Sequence, residues 1–217
     1  LSCDLAVLAE VPMSPPHPTL ADPAIDWHWD GRDSKGLALA GFGTTLSPII
    51  TPPESGRYSL AAETPYGFGL LGIWSCPPAD KSTTYGHHVV SAIATRADWL
   101  ADTPSIVAGD FNLAPNGIED SKTGVLRDVF ARMDALGYVS IYHHEHDEPY
   151  GAETNNTYFH YRHADKGFHI DYCFVHRDLL PRVADLRVGL YDEYVRSTDT
   201  SKGASDHVPL ILDLRRS

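Results

Sequence analysis

Positive charge is scarce in this 217-residue sequence. It has 17 lysines and arginines against 29 acidic residues, which gives a formal net charge of −12. Tight binding of nucleic acid through charge alone needs a basic face that releases counterions, so this balance argues against it. An enzyme that meets phosphates through a divalent cation is not excluded, because the ion supplies the local positive charge.

Cysteines are few, and long apolar runs are missing. Cys3, Cys76 and Cys173 are too few for a disulfide framework, and we interpret Cys3 and Cys173 as small buried hydrophobic residues of predicted strands. No apolar run approaches the roughly 20 residues of a membrane span. No signal peptide is visible, but the chain opens at Leu1 and enters a strand almost at once. We therefore expect that a natural start has been lost, and we expect a cytoplasmic location.

Short β-like segments outnumber helical ones along the chain. Their patterns predict strands at 3–9, 36–41, 57–63, 69–75, 105–109, 138–142, 157–161, 168–175, 183–190 and 208–214. Helical spacing of apolar residues predicts only two helices, at 86–100 and at 125–136, the second capped by Gly137. We expect an α/β fold of two packed sheets with helices outside, in a single monomeric domain over residues 1–217.

Three stretches between the predicted elements read as loops, at 11–35, 143–148 and 191–205. Residues 11–35 are rich in proline, and we expect a long ordered loop that Trp27 and Trp29 pin to the body of the protein. The run 143–148 holds three histidines among acidic residues. It has the composition of a transition-metal site, but consecutive residues rarely point at one ion, so a solvated loop is the favoured interpretation.

Polar side chains gather at the ends of several predicted strands. Gly109-Asp110-Phe111-Asn112 follows a buried strand, so Asp110 and Asn112 face one side while Phe111 faces the core. We expect Gly109 to allow a sharp turn and a close approach of the backbone to a ligand.

Two later motifs and the end of the first strand have the same form. His169-Ile170-Asp171-Tyr172 places His169 and Asp171 on one face, Ser205-Asp206-His207 precedes the last strand, and Glu10 ends the first. Asp and Asn are common at strand ends for reasons of turn geometry, so each motif alone is weak. Their conjunction predicts one shared site.

The donor chemistry of this site predicts the metal. Carboxylates converging on one pocket would raise one another's pKa values unless a cation neutralised them. Oxygen donors suit Mg²⁺ or Mn²⁺ better than zinc. Our hypothesis is that Glu10 is the primary ligand and that Asp206 contributes directly or through water.

The remaining polar groups have hypothetical roles in hydrolysis of a phosphate ester. Asp110 would orient or deprotonate the attacking water, and Asn112 would fix its position and donate to the phosphate. His207 would bind a non-bridging oxygen. Asp171 would hydrogen-bond the imidazole and favour its protonated form.

These elements, taken together, resemble a known family. The segments 5–10, 109–112, 169–172 and 205–207 resemble, in this order, the endonuclease/exonuclease/phosphatase superfamily with the deoxyribonuclease-I-like fold. The resemblance runs from the second strand of that fold to its end. It implies a four-layer α/β sandwich of two mixed sheets flanked by helices, with the first strand apparently missing here. It also implies metal-dependent hydrolysis of phosphoric esters.

One position departs from the family pattern. The strand before the central helix usually offers a tyrosine or histidine to the phosphate, and Trp74 takes that place here as a possible substrate contact. Indole donates through its N–H but cannot accept a proton. Arg32, Lys35 and Arg57 are further possible phosphate contacts, although surface charge explains them equally well.

Two functional classes follow from these residues. The leading one is a Mg²⁺-dependent hydrolase of phosphoric esters that acts on a nucleic acid, a phospholipid or inositol phosphate, or a small molecule. The alternative is a catalytically silent binding module that keeps the fold, which Trp74 and the missing strand support. Calcineurin-like metallophosphatases are set aside because their Gly-Asn-His motif is not present.

Overall fold

The structure is a computed structural model that describes residues 3–14, 24–50, 58–76, 84–115, 124–196 and 205–215. The strands are β1 (Leu5–Val11), β2 (Ile25–Arg32), β3 (Lys35–Phe42), β4 (Ser47–Ile49), β5 (Ser59–Glu63), β6 (Gly69–Trp74), β7 (Ser105–Asp110), β8 (Tyr138–Ser140), β9 (Tyr158–Phe159), β10 (Gly167–Phe168), β11 (Asp171–His176), β12 (Val183–Val188) and β13 (Leu210–Leu214). The helices are α1 (Tyr85–Ala94), α2 (Ala97–Asp102), α3 (Val125–Ala135), α4 (Ile141–His146) and α5 (Tyr191–Tyr194), and two 3₁₀ turns cover His160–Arg162 and Arg177–Arg182.

A six-stranded mixed sheet is the largest element. Its strand order is β4-β5-β6-β7-β11-β8. The pair β6–β7 is parallel, and the neighbouring pairs are antiparallel. The connection from β6 to β7 runs through α1 and α2, as a parallel pair requires a crossover.

Smaller antiparallel sheets complete the strand layers. One has the order β1-β3-β2, a second is the pair β12–β13, and β9–β10 forms a short hairpin. The α/β architecture of packed sheets with few helices, predicted from the sequence, is confirmed.

Both faces of the six-stranded sheet are buried, because its central strands are apolar at successive positions. Leu71 and Val107 face α1 and α3 in one core cluster. Leu70 and Ile106 face the opposite way, into a second cluster that includes Leu39 of β3. Continuous apolar runs are typical of strands covered on both sides.

The helix predicted at 86–100 is two helices. α1 ends at Ala94 and α2 begins at Ala97, with Arg96 between them. The Arg96 side chain is buried, and its guanidinium donates to the hydroxyl and carbonyl oxygens of Ser59, at 3.0 and 3.1 Å. A tertiary contact of this kind leaves no periodicity signal. The helix predicted at 125–136 is confirmed as α3.

The prediction of a loop over residues 11–35 is wrong for the part that the structure describes. β2 pairs with β3 through its whole length as a hairpin. Trp27 Nε1 donates to the carbonyl of Met13 and Trp29 Nε1 to that of Val11, both at 3.0 Å. The tryptophans therefore hold residues 11–13 against β2, and the segment 15–23 lies outside the described residues.

Two other loop predictions are also corrected. The histidine-rich run is helical as far as His146, because α4 follows β8 directly and buries Ile141 and Tyr142. Within 191–205, residues 191–194 form α5, whereas 197–204 lie outside the described residues. Cys173 is buried in β11 as expected, but Cys3 is exposed and precedes β1. Within the described ranges, none of the helices has the length and apolar character to span a membrane.

Candidate active site

The end of β7 brings the first site residue to the sheet edge. A Cβ on Gly109 would lie 1.9 Å from the carbonyl oxygen of Ile73 on β6, and φ is +145° there, so only glycine fits. The expected close approach of the backbone therefore occurs, but toward the neighbouring strand. The chain does not turn at Gly109, because β7 continues to Asp110.

Asp110 is fixed by the residue two places ahead. The backbone N–H of Asn112 donates to one carboxylate oxygen of Asp110 at 2.9 Å, and the Asn112 amide donates to the other at 2.8 Å. The same amide donates to the carbonyl of Ser75 at 3.0 Å. Asn112 has φ of +52°, and Phe111 between them is fully buried. The local backbone thus turns both polar side chains to one side.

Asp171 lies beside Asp110 because of strand register. β11 pairs antiparallel with β7, and Asp171 is the register partner of Asp110. The hydroxyl of buried Thr157 accepts from the backbone N–H groups of Ile170 and Asp171, both at 3.0 Å. These bonds fix the point at which β11 begins.

Backbone hydrogen bonds hold the 205–207 segment next to β9. The N–H of Phe159 donates to the carbonyl of Asp206, and the N–H of Val208 donates to that of Thr157, both at 2.8 Å. An isolated bridge pairs Tyr158 with His207. This pairing brings His207 to Asp171.

His207 and Asp171 form a hydrogen-bonded ion pair. Nδ1 of His207 lies 2.9 Å from the Asp171 carboxylate. Burial lowers the pKa of His207, but the charge and hydrogen bond of Asp171, followed by the charges of Asp110 and Asp206, outweigh it and raise the pKa to about 9. His207 is therefore a cation at neutral pH, suited to an anionic ligand.

The Asp110 carboxyl group has the opposite environment. It is only 3% exposed. Burial, followed by the negative charge of Asp171, raises its pKa well above the ordinary range, although His207 and the bond from Asn112 act against this rise. A carboxylate with a raised pKa is a stronger base, which suits proton abstraction from water.

Glu10 reaches the site from an irregularity in β1. The register of β1 against β3 shifts between Leu8 and Val11, and Glu10 lies in this bulge with φ of +58°. Bulges redirect side chains at sheet edges. The Glu10 carboxylate accepts a hydrogen bond from the ammonium of Lys35, at the start of β3.

Glu10 and Asp206 act on a common cation. The hydrogen bond from Glu10, followed by the charges of Glu10 and Asp206, raises the pKa of Lys35. The ammonium thus marks a place for positive charge beside these carboxylates. Among the described residues, no group of three or more His, Cys, Asp or Glu side chains forms a metal-binding cluster. Mg²⁺ takes as few as one or two protein carboxylates, so the two oxygen donors present still fit it.

Trp74 and His169 lie in buried surroundings. Trp74 is 5% exposed, and its ring centroid is 4.7 Å from that of Tyr58. His169 is buried, with Nδ1 2.8 Å from the carbonyl oxygen of Asn155 and its ring against Tyr142. His169 therefore belongs to the aromatic packing near α4, whereas Asp171 points to His207. Arg57 lies outside the described residues.

Sequence reasoning missed two residues that border the site. The ring centroid of Tyr158 is 4.9 Å from that of His207, and burial, followed by the charge of Asp206, raises the pKa of its phenol. The thiol of Cys76 has a pKa raised by burial and then by the charges of Glu10 and Asp110. Both positions depend on pairing between distant segments, which single-sequence motifs do not contain.

Comparisons with known proteins find similar structures but no similar sequences. No family model and no curated protein matches this sequence. Among solved structures, a 3'-5' exonuclease (NExo) from Neisseria meningitidis is similar with a TM-score of 0.74 and 20% identity, over 98% of this chain and 89% of that one. A second structure, titled a 3' phosphatase NExo from Neisseria bound to product DNA hairpin, has a TM-score of 0.74 and 20% identity, over 97% and 88%.

A third similar structure is an AP endonuclease from Archaeoglobus fulgidus. It has a TM-score of 0.71 and 16% identity, over 97% of this chain and 88% of that one. TM-scores of 0.71 to 0.74 over nearly whole chains establish the fold. The chain therefore has the deoxyribonuclease-I-like fold that the sequence motifs predict.

Proposed function

We propose that this protein is a divalent-metal-dependent hydrolase of phosphoric esters. The observation that carries the proposal is the buried Asp110 carboxylate, held by Asn112 and placed beside the His207–Asp171 ion pair. A base beside an anion-binding cation is what hydrolysis of a phosphate ester needs. The similar structures, two nucleases and a 3' phosphatase by their titles, support this class.

Each protein group has a defined task in this proposal. His207, protonated at neutral pH, donates from Nε2 to a non-bridging phosphate oxygen and stabilises the negative charge that grows there. Asp171 fixes the imidazole through Nδ1 and keeps it charged. Asp110 takes the proton of the attacking water, and the Asn112 amide holds the carboxylate in position.

Glu10 and Asp206 are the proposed ligands of Mg²⁺ or Mn²⁺. Both are oxygen donors, and both already act on the Lys35 ammonium. When bound, the ion supplies charge neutralisation for the phosphate. To hold the ion, Glu10 would give up its hydrogen bond to the Lys35 ammonium.

A catalytically silent binding module is the second candidate function. The observation that favours it is the Glu10–Lys35 contact, since it places a protein cation on the carboxylate that the metal needs. Trp74, buried against Tyr58, also offers little to a substrate. In this case the site binds a phosphate group without hydrolysing it.

One experiment separates the two candidates. Purified protein is incubated with bis(p-nitrophenyl) phosphate and either Mg²⁺, Mn²⁺ or EDTA, and release of p-nitrophenol is followed. We expect turnover with metal and none with EDTA. Asp110→Asn should lower kcat by on the order of 10³-fold, the size of a general-base contribution.

The matched control removes a carboxylate at the other end of β7. Asp102→Asn changes an exposed residue at the end of α2, just before the start of β7, and should leave the rate unchanged. Unfolding curves confirm that both variants are folded. Absence of turnover in the unaltered protein with every metal would favour the binding module. Substantial residual turnover by Asp110→Asn would contradict the role of Asp110.

A further inference from the structure

A basic and aromatic tip projects beside the candidate active site. The tip is residues 160–166, which join β9 to β10. Its charged or titratable side chains are His160, Arg162, His163 and Lys166 with a single acid, Asp165. Arg162 and Lys166 against Asp165 give the tip a formal charge of +1 with its histidines neutral, whereas the whole chain has a net charge of −12. This local positive charge favours contact with a polyanion.

The tip presents one aromatic ring to solvent. Tyr161 is 77% exposed. Tyr161 and Arg162 are consecutive non-glycine residues with left-handed backbone, at φ of +51° and +58°. This conformation is held in place, because the Tyr191 hydroxyl donates to the carbonyl of Arg162 at 2.7 Å. Strained backbone persists where surrounding contacts determine it, so the ring of Tyr161 is displayed by a defined structure.

Successive ring contacts, with planes tilted by 47° to 64°, connect this tyrosine to the site. The centroid of Tyr158 is 4.9 Å from that of His207, the centroid of His160 is 6.2 Å from Tyr158, and the centroid of Tyr161 is 4.1 Å from His160. Tyr158 and His160 also share a hydrogen bond of 2.9 Å between the hydroxyl and Nδ1. We name the three rings Tyr158, His160 and Tyr161 the aromatic track.

We propose that the aromatic track binds unpaired bases of a single-stranded nucleic acid whose reacting phosphate lies at His207. This inference rests on the proposed function and names its substrate class. Every base has a π-face, and aromatic side chains in a line bind successive bases by stacking. Arg162 and Lys166 on the same tip contact the phosphates between them.

The other substrate classes do not use these features. An inositol phosphate or a small phosphodiester has no series of planar rings for Tyr161 to stack on. Bases in a duplex are already stacked on one another, so the track discriminates against paired ends. The net charge of −12 restricts binding to the tip and the site, because the rest of the surface supplies little attraction for phosphates.

The test measures binding without turnover. A fluorescein-labelled dodecathymidylate is titrated with the protein in EDTA, and anisotropy gives Kd. Tyr161→Ala should weaken binding by about ten-fold, a typical loss for one base–aromatic contact, and Tyr161→Phe should restore the affinity. Because Tyr161 is largely exposed, its replacement should not change the thermal unfolding midpoint of the protein. An unchanged midpoint shows that the variant is folded.

Salt dependence tests the phosphate contacts independently. For Arg162→Ala and Lys166→Ala, the slope of log Kd against log salt concentration should fall by about 0.7 for each lost phosphate contact. Arg132→Ala is the matched control, since this exposed arginine lies near the end of α3, which leads into β8. β8 pairs with the end of β11 that is away from Asp171. Its slope and Kd should equal those of the unaltered protein.

Two results would overturn the inference. One is a Kd for Tyr161→Ala equal to that of the unaltered protein. The other is binding of the same sequence as a blunt duplex at least as tightly as the single strand. The proposed function is judged separately, by metal-dependent turnover of bis(p-nitrophenyl) phosphate in the unaltered protein. Binding in EDTA does not depend on that turnover, so failure of one leaves the other measurable.

Discussion

Replacing Asp171 with asparagine tests the electrostatics of the site most directly. The His207–Asp171 pair has side chains 26% and 19% exposed, so water screens it only in part. A His207 pKa of about 9, against an ordinary 6.5, corresponds to roughly 3 kcal/mol in favour of the imidazolium. Asparagine keeps the size of Asp171 and an oxygen acceptor but removes its charge, which is the largest influence that raises this pKa. We expect the pKa of His207 to fall toward 6.5.

The assay is a pH titration of the imidazole NMR signals in metal-free protein. The sequence has 12 histidines, so His207→Gln is needed to assign the signal. Asp178→Asn is the control, because Asp178 lies 3.6 Å from His176 beyond the far end of β11, and its loss should leave His207 unchanged. The reasoning would be refuted if the His207 signal of the unaltered protein titrated near 6.5. It would also be refuted if the signal titrated at the same pH in the unaltered protein and in Asp171→Asn.

The same pair predicts a pH dependence of stability. A histidine whose pKa is raised on folding contributes stability that is fully present below its unfolded pKa of 6.5 and is lost as pH rises through about 9. The unaltered protein should therefore have a larger free energy of unfolding than Asp171→Asn. This difference should be largest at about pH 6 and small at about pH 10. Denaturant titrations at several pH values measure this difference.

Two further predictions concern the strand that carries Asp110 and the proposed metal site. Gly109→Ala should destabilise the fold by about 3 kcal/mol or more, because the new Cβ would meet the carbonyl of Ile73 at 1.9 Å in a backbone region that alanine rarely adopts; an unchanged midpoint in a denaturant titration would contradict this. Lys35→Met should tighten binding of Mn²⁺ by about five- to ten-fold. The ammonium bonded to Glu10 competes with the ion, and an exposed charge pair is worth about 1 kcal/mol. Electron paramagnetic resonance measures the binding. Arg132→Ala should bind Mn²⁺ like the unaltered protein, and no change in Lys35→Met would argue against competition.

The sequence was most informative where burial is continuous. The apolar runs of β6 and β7 predict buried strands, and the motif at 109–112 predicts which side chains leave the core: Phe111 is fully buried, and Asp110 and Asn112 are joined by hydrogen bonds. These features depend on the two-residue period of a strand, which is a local property.

Predictions failed where tertiary contacts decide the structure. The segment 25–32 has the alternation of a strand, but the prolines that precede it favoured a loop. Its pairing with β3 is what makes it β2. The run 143–148 begins inside α4 because Ile141 and Tyr142 are buried against the sheet. A short helix of this kind has little periodicity of its own.

The sequence predicted only some of the residues that surround the candidate active site. Lys35 had no signal to separate it from other surface charges, because its place depends on the bulge at Glu10 and on the β2–β3 hairpin. Tyr158 lies at the site through backbone pairing with the segment around His207. Both are contacts between residues distant in the sequence, which a motif search along one chain does not examine.

The register between β7 and β11 has a consequence for how the protein acquires its chemistry. Asp110 and Asp171 become neighbours only when these strands, distant along the chain, have aligned residue for residue. Non-local pairing of this type is slow to form. At about pH 8 a histidine of the unfolded chain is neutral, so the imidazolium at His207 would form only after the segments that carry Asp171 and His207 have met. Its NMR signal in a refolding experiment would time that meeting.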